Sequence, residues 1–319
     1  MESNQIIFLP SNQYSPVPAT EQLKKHFMDF VHLLVFSSAV MGITGCGLVY
    51  VAAFIQGVEC LPVCFAIMFL LGFSVYNLNR KTDEKEDAIN HQERYKFTKK
   101  YENHLYRAAI IGCGLALLLG AFYGLATFLI VLFPLVLGIL YSIPCLPPST
   151  GYRRLKEIPL LKNIIVGLAW GIPLTFIPLF VLNVPATLAT AISLIYFSSF
   201  IFIGSVLPDV RDMEGDKIVG IRTIPVVLGA EWTITIIRGI NLIVGTSAIV
   251  ISALYISPLV AFVLTVSTVY THLSINFFLN GGKKDLICDI LTDGQFIFIG
   301  ILAYGLSLLS ASAFLIIPG

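Results

Sequence analysis

Five aspartates and an asparagine recur at helical spacing in two short stretches of a chain in which only 12% of the residues are charged. In FSVYNLNRKTDEKEDAINHQER, Asn79, Asp83 and Asp87 are spaced i, i+4, i+8, so a helix would stack them on one face about one turn apart. In FIGSVLPDVRDMEGDKIVGIRTIPVVLG, Asp209, Asp212 and Asp216 follow at i, i+3, i+7 and align in the same way. Two carboxylates at i and i+4 repel by about 0.2–0.5 kcal/mol even in water. A positive partner is expected between them. Magnesium fits, because it takes one or two carboxylates and completes its oxygen shell with substrate phosphate and water. Two acidic clusters facing one another across a cavity are what a diphosphate needs, since its oxygens bridge metal ions. Charge building on a departing diphosphate is then neutralised, and the carbon left behind is an allylic cation that an apolar, aromatic cavity shields from water.

Basic residues beside these stretches are candidates for holding the diphosphate: Arg94, Arg153, Arg154, Lys156, Lys162, Lys217 and Arg222. Arginine clamps phosphate oxygens in a fork, whereas lysine acts as a point charge. Arg94 follows the first acidic stretch closely, and Lys162 opens an apolar run beside Asn163, which makes these two the strongest choices. Tyr141 stands where another apolar run ends, placed either to bond a phosphate, to face the reacting carbon or to serve as an interfacial tyrosine.

The elements that must position these groups are helices in a bilayer. Of 319 residues, 56% are hydrophobic and only 12% charged, about half the charge of an ordinary soluble domain. A spanning helix needs about 20 apolar residues. Nine stretches qualify, roughly at 30–55, 60–79, 106–122, 125–143, 161–182, 186–208, 231–253, 256–279 and 293–317. The expected fold is an all-α integral membrane protein with nine transmembrane helices, a polar tail over 1–27 and one domain over 28–319.

The polar segments test this count, because they should alternate between the two sides. The tail before the first span and the segments at 80–107, 153–162, 209–222 and 283–289 hold nearly every charge, whereas Glu59 is the only charge in the loops on the other side. The positive-inside rule places the N-terminus and the charged loops in the cytoplasm. Chemistry is therefore expected at the cytoplasmic mouth. A net charge of +1 offers no field for nucleic acid. The six cysteines include no CxxC pair and read as small core hydrophobes. A transporter would carry ionisable groups near the middle of its spans. Here the acids gather at one face, with Arg238 near the start of the seventh stretch.

The two motifs resemble those of the UbiA superfamily of intramembrane prenyltransferases, and the resemblance covers nearly the whole chain. That family has nine helices, an NxxxDxxxD motif after the second and a DxxxD motif after the sixth. Asn79, Asp83 and Asp87 match the first; Asp212 and Asp216 match the second, preceded by Asp209. The resemblance implies a bundle around a central cavity, Mg2+ bridging the motifs, and a lateral opening through which an isoprenoid tail lies in the membrane lipid. It also implies transfer of a prenyl group from a prenyl diphosphate to a lipophilic acceptor, with terpene cyclisation without an acceptor as the alternative. Two residues depart from the pattern. Arg80 stands where many members have a second acid, and Gln92 where proline often precedes the arginine matched by Arg94.

Overall fold

The computed structural model describes residues 19–279 and 285–316, and every regular element among them is a helix. In chain order these are α1 (Ala19–Phe36), α2 (Ala39–Gln56), α3 (Pro62–Thr82), α4 (Glu84–Asn90), α5 (Gln92–Lys100), α6 (Glu102–Phe122) and α7 (Leu125–Ser142). After a loop with two 3₁₀ turns come α8 (Leu161–Leu182), α9 (Leu188–Val219), α10 (Ile224–Leu228), α11 (Ala230–Tyr255), α12 (Pro258–Leu279) and α13 (Asp285–Ile316). Eight of them, α2, α3, α6, α7, α8, α9, α11 and α12, are long and apolar enough to cross a membrane. The ninth expected span falls on α13, whose described apolar stretch, Gly294–Ser310, is shorter than a full crossing. Eight is thus the count among the described residues. Residues 280–284, at the start of the expected fourth charged segment, lie outside them, as do residues 1–18 of the tail.

The first span is shorter than its apolar run suggests. Instead of one helix over 30–55, the chain breaks at Ser37 and Ser38, where Ser38 takes a left-handed φ of 63°. The Ser37 hydroxyl bonds the Leu34 carbonyl at 3.4 Å and accepts the Ala39 N–H at 3.4 Å, so it offers the backbone an alternative to the helical ladder. Residues 19–36 consequently form a separate helix ahead of the spans.

The bundle packs α2 on α3, α3 on α6, α8 on α9, α11 on α12 and α13 on α2. Its centre holds fully buried Ile55, Ile67, Met68, Leu71, Leu174 and Phe197, while Phe122, Leu125, Ile195 and Leu254 face outward as a lipid-covered surface requires. Where backbones cross closely the residues are small, as is usual for helix pairs in lipid. A Cβ on Gly167 of α8 would sit 2.6 Å from the Ser198 carbonyl of α9, and Gly47 of α2 meets Gly300 of α13 in the same manner. The first of these contacts clamps α8 to α9, the helix that carries the second acidic segment.

Candidate active site

The first acidic segment leaves the membrane at the end of α3. Asp83 closes α3 and opens α4 with φ −108° and ψ 17°, so the chain turns at the central acid instead of running on as one helix. The Thr82 hydroxyl, which donates to Asn79 O at 2.7 Å and to Asp83 Oδ1 at 2.9 Å, competes for the local backbone and favours that turn. Spacing survives the break. Asp83 N–H still donates to Asn79 O at 3.0 Å and Asp87 N–H to Asp83 O at 2.9 Å, so the three side chains keep one side.

The second segment occupies the last turns of α9, a continuous helix. Thr187 caps its start, and Gly220 in left-handed conformation, φ 80°, closes its end. Ile221 N–H donates to Asp216 O at 2.9 Å, which settles a terminal carbonyl beside the acids.

Each carboxylate meets a donor, and most of the donors come from other elements. Lys156 Nζ bonds Asp83 Oδ1, Arg94 Nη2 donates to Asp87 Oδ1 at 2.6 Å, and Lys162 Nζ donates to Asp209 Oδ1 at 2.6 Å. Asn163 Nδ2 holds the other Asp209 oxygen at 3.1 Å. Asp212 receives Arg211 Nε at 2.7 Å and lies 3.3 Å from His91 Nε2, while Asn90 Nδ2 reaches Asp216 at 3.3 Å. Ser142, ending α7, donates to Asn79 Oδ1 at 3.1 Å.

The loop that delivers Lys156 is folded by Glu157. Its carboxylate accepts the Arg153 N–H at 2.8 Å, the Arg154 N–H at 3.3 Å and Arg154 Nε at 2.7 Å. Burial pushes the Glu157 carboxyl up, but these donors outweigh it and hold the group below its ordinary value. Glu157 stays ionised and the loop stays shut, with Lys156 buried against Asp83.

A cavity of about 380 Å³ runs from this mouth into the bundle. Asn79, Asp83, Asp87, Arg94, Lys162, Asp209 and Asp212 line its polar end, and Leu48, Met68, Val166, Leu174 and Phe296 its apolar depth. Between them stand Tyr141 and the stacked rings of Tyr76 and Trp170, 6.0 Å apart. An adjoining space of about 140 Å³ adds Asn90, Arg154, Lys156, Glu157 and Asp216 to the same acids. The shape is that of an amphiphile with a charged head and an oily tail.

Of the residues singled out from the sequence, all five acids, Asn79, Tyr141, Arg94, Arg154, Lys156 and Lys162 line these spaces. Two others do not. Lys217 is exposed on α9 and pairs with Glu214 at 2.9 Å, and Arg222 is exposed in the turn that follows. One residue of helix turns the side chain by about 100°, which carries Lys217 away from the face that Asp216 occupies. Cysteine also departs in part, since Cys145 is exposed while Cys64 is buried. Sequence reasoning passed over His91, Asn90, Arg211 and Tyr76 as site residues and favoured a packing or lipid-facing role for Trp170. His91 had a signal, because it continues the Asn79, Asp83, Asp87 spacing by another four residues.

The cavity donors suit a hard divalent ion: carboxylate and amide oxygens without sulfur. Among the described residues no three His, Cys, Asp or Glu side chains converge into a metal site of their own. Each motif offers what magnesium accepts when substrate phosphate supplies the remaining oxygens.

The close fit of α4 against α9 can be tested at Gly215, where a Cβ would overlap Asn90 Oδ1. Gly215→Ala is expected to push Asn90 off Asp216 and to lower turnover about tenfold, the loss of one hydrogen bond to a charged group, with far-UV circular dichroism unchanged.

Comparison with known proteins agrees with this geometry. No curated protein sequence matches the chain. Among solved structures, a UbiA homolog from Archaeoglobus fulgidus bound to GPP and Mg2+ superposes with a TM-score of 0.64 at 17% identity, covering 87% of this chain and 99% of its own. An apo UbiA homolog from Aeropyrum pernix K1 gives 0.64 at 11% identity, with 85% and 98% covered. A digeranylgeranylglyceryl phosphate synthase gives 0.53 at 18% identity, with 88% and 99% covered. At these identities the likeness shows the fold. Residues 37–285 match the sequence profile of the UbiA prenyltransferase family, and with most of its length inside that match the chain belongs to this family.

Proposed function

We propose that this protein transfers a prenyl group from a prenyl diphosphate to a lipophilic acceptor inside the membrane. The observation that carries the reading is the cavity whose mouth is lined by paired acids and bases and whose depth is apolar. The Archaeoglobus fulgidus homologs bound to GPP or DMAPP with Mg2+ support the same substrate class.

Asn79, Asp83 and Asp87 on one side and Asp209, Asp212 and Asp216 on the other are the residues that would hold Mg2+, which when bound neutralises charge on the departing diphosphate. Arg94, Arg154, Lys156 and Lys162 surround the same mouth and receive phosphate oxygens, Arg94 and Arg154 through planar forks. Tyr141 stands at the boundary between head and tail, where it orients the bond that breaks. Below it, Tyr76 and Trp170 offer ring faces to the allylic cation, and the apolar walls exclude water from it. By the positive-inside rule the mouth opens to the cytoplasm.

The reading is tested by incubating purified protein with Mg2+ and labelled geranyl, farnesyl or geranylgeranyl diphosphate, with and without a panel of acceptors. A prenylated product that requires an acceptor is expected. A cyclic hydrocarbon or alcohol formed from the diphosphate alone would replace transfer by cyclisation, and consumption of none of the three would remove the enzymatic reading.

A further inference from the structure

The helix ahead of the first span has a role that the cavity does not explain. α1 carries Glu21, Lys24, Lys25 and Asp29 within 18 residues, too many charges for a crossing, yet Leu23, Phe27, Phe30 and Leu33 are 71%, 63%, 56% and 50% exposed. At about 100° per residue these four fall within an arc of roughly 120° along the helix. A second arc, with Met28, Val31 and Val35, turns toward the protein; His32 lies opposite the exposed apolar side, Asp29 flanks its Leu33 edge about 160° from Phe27, and exposed His26 falls within it. An apolar stripe of this kind, interrupted only by His26, on a helix that packs on the bundle by its other side marks a contact surface.

Three observations say what covers it. The link from α1 to the membrane-spanning α2 is only Ser37 and Ser38, so the C-terminal end of α1 sits at the membrane boundary. That end is tied to α3 near its exit on the motif side: Asn77 Nδ2 donates to Ser37 O at 2.9 Å, Arg80 Nη2 to Val35 O at 3.1 Å, and Arg80 Nη1 to Phe36 O. Finally, α1 has a polar side, with Asp29 and His32, beside its apolar one, the arrangement of a helix lying flat in a lipid interface.

We propose that α1 is an interfacial helix whose Leu23, Phe27, Phe30 and Leu33 side binds membrane lipid on the side of the acidic motifs. Arg80 and Asn77 moor this lipid-bound helix to α3, and Val35, which lines the cavity, becomes the point where the membrane surface meets the site. The arginine that departs from the family's acidic pattern therefore has a job here: it binds carbonyls at the end of α1.

The test uses the full chain in lipid nanodiscs, with Phe27→Trp and Asp29→Trp each compared with the parent, whose Trp170 and Trp232 give a constant background. Both positions are exposed, so neither change disturbs packing. Added emission from Phe27→Trp is expected to fall at least twofold with lipid carrying a shallow doxyl group and to resist aqueous iodide, with the reverse for Asp29→Trp. Equal iodide quenching at both positions would put the apolar side in water and overturn the proposal. Protection of position 27 from both quenchers would overturn it as well, by placing protein over the stripe. Loss of that protection on deleting residues 1–18 would then assign the cover to the chain's own terminus, and its persistence to a second copy.

Discussion

Asp83→Asn and Asp212→Asn are each expected to lower turnover of a prenyl diphosphate by about 10²–10³-fold, the range seen when one group that stabilises developing charge is removed. Asparagine keeps the shape and one oxygen of aspartate, so the fold is retained while the negative charge is lost. The Mg2+ concentration for half-maximal rate should rise in both variants, because each motif supplies part of the oxygen set. Lys217→Ala and Arg222→Ala provide the contrast. Both side chains are exposed outside the cavity, and their variants should stay within about twofold of the parent, as surface substitutions generally do. Equal losses in all four would mean that general electrostatics, and not the two motifs, govern the reaction. Steady-state rates with labelled diphosphate across a Mg2+ titration decide between these outcomes.

The positions of these side chains mark where a linear reading reaches the cavity and where it does not. The acids were legible because their spacing is a helical period, and the chain keeps that period even through the break at Asp83. Lys217 and Arg222 looked equally well placed because they are neighbours of the second motif in sequence. Adjacent residues on a helix point in different directions, and the donors that reach the acids come from farther away. Lys156 meets Asp83 across 73 residues and Lys162 meets Asp209 across 47, distances over which no periodicity reports. Only packing of α8 and its preceding loop against α9 and α3 brings these pairs together.

The spans were legible for the same reason as the acids, since an apolar run of sufficient length leaves few alternatives. Ends of runs were less so. Val31 to Phe36 reads as a continuation of the first span by hydropathy, and nothing but the Ser37–Ser38 pair announces that the chain turns there. The rings of Tyr76 and Trp170 were hidden by another ambiguity. An aromatic residue in an apolar helix faces lipid, core or cavity with the same sequence signal, and their stacking beside the acids appears only once α3 and α8 are packed.

Lys162 bears the second large effect, because its charge serves stability and substrate at once. Its ammonium sits 2.6 Å from Asp209, a carboxylate only 8% exposed whose other oxygen is held by Asn163. Lys162→Met removes the cation and leaves a buried charge whose remaining donor is neutral Asn163, which typically costs about 3–5 kcal/mol. A clear drop in melting temperature in nanodiscs is expected. Adding Asp209→Asn removes the stranded charge, and the double variant should regain most of that stability. Catalysis should not return with it. Lys162 is also a donor to the diphosphate in the proposed reaction, so the KM for the prenyl diphosphate should stay raised about tenfold or more in the double variant, as the loss of a charged hydrogen bond implies. If stability and KM recovered together, Lys162 would serve only to neutralise Asp209. Persistence of the KM defect in a refolded, stable double variant would place its ammonium on the substrate.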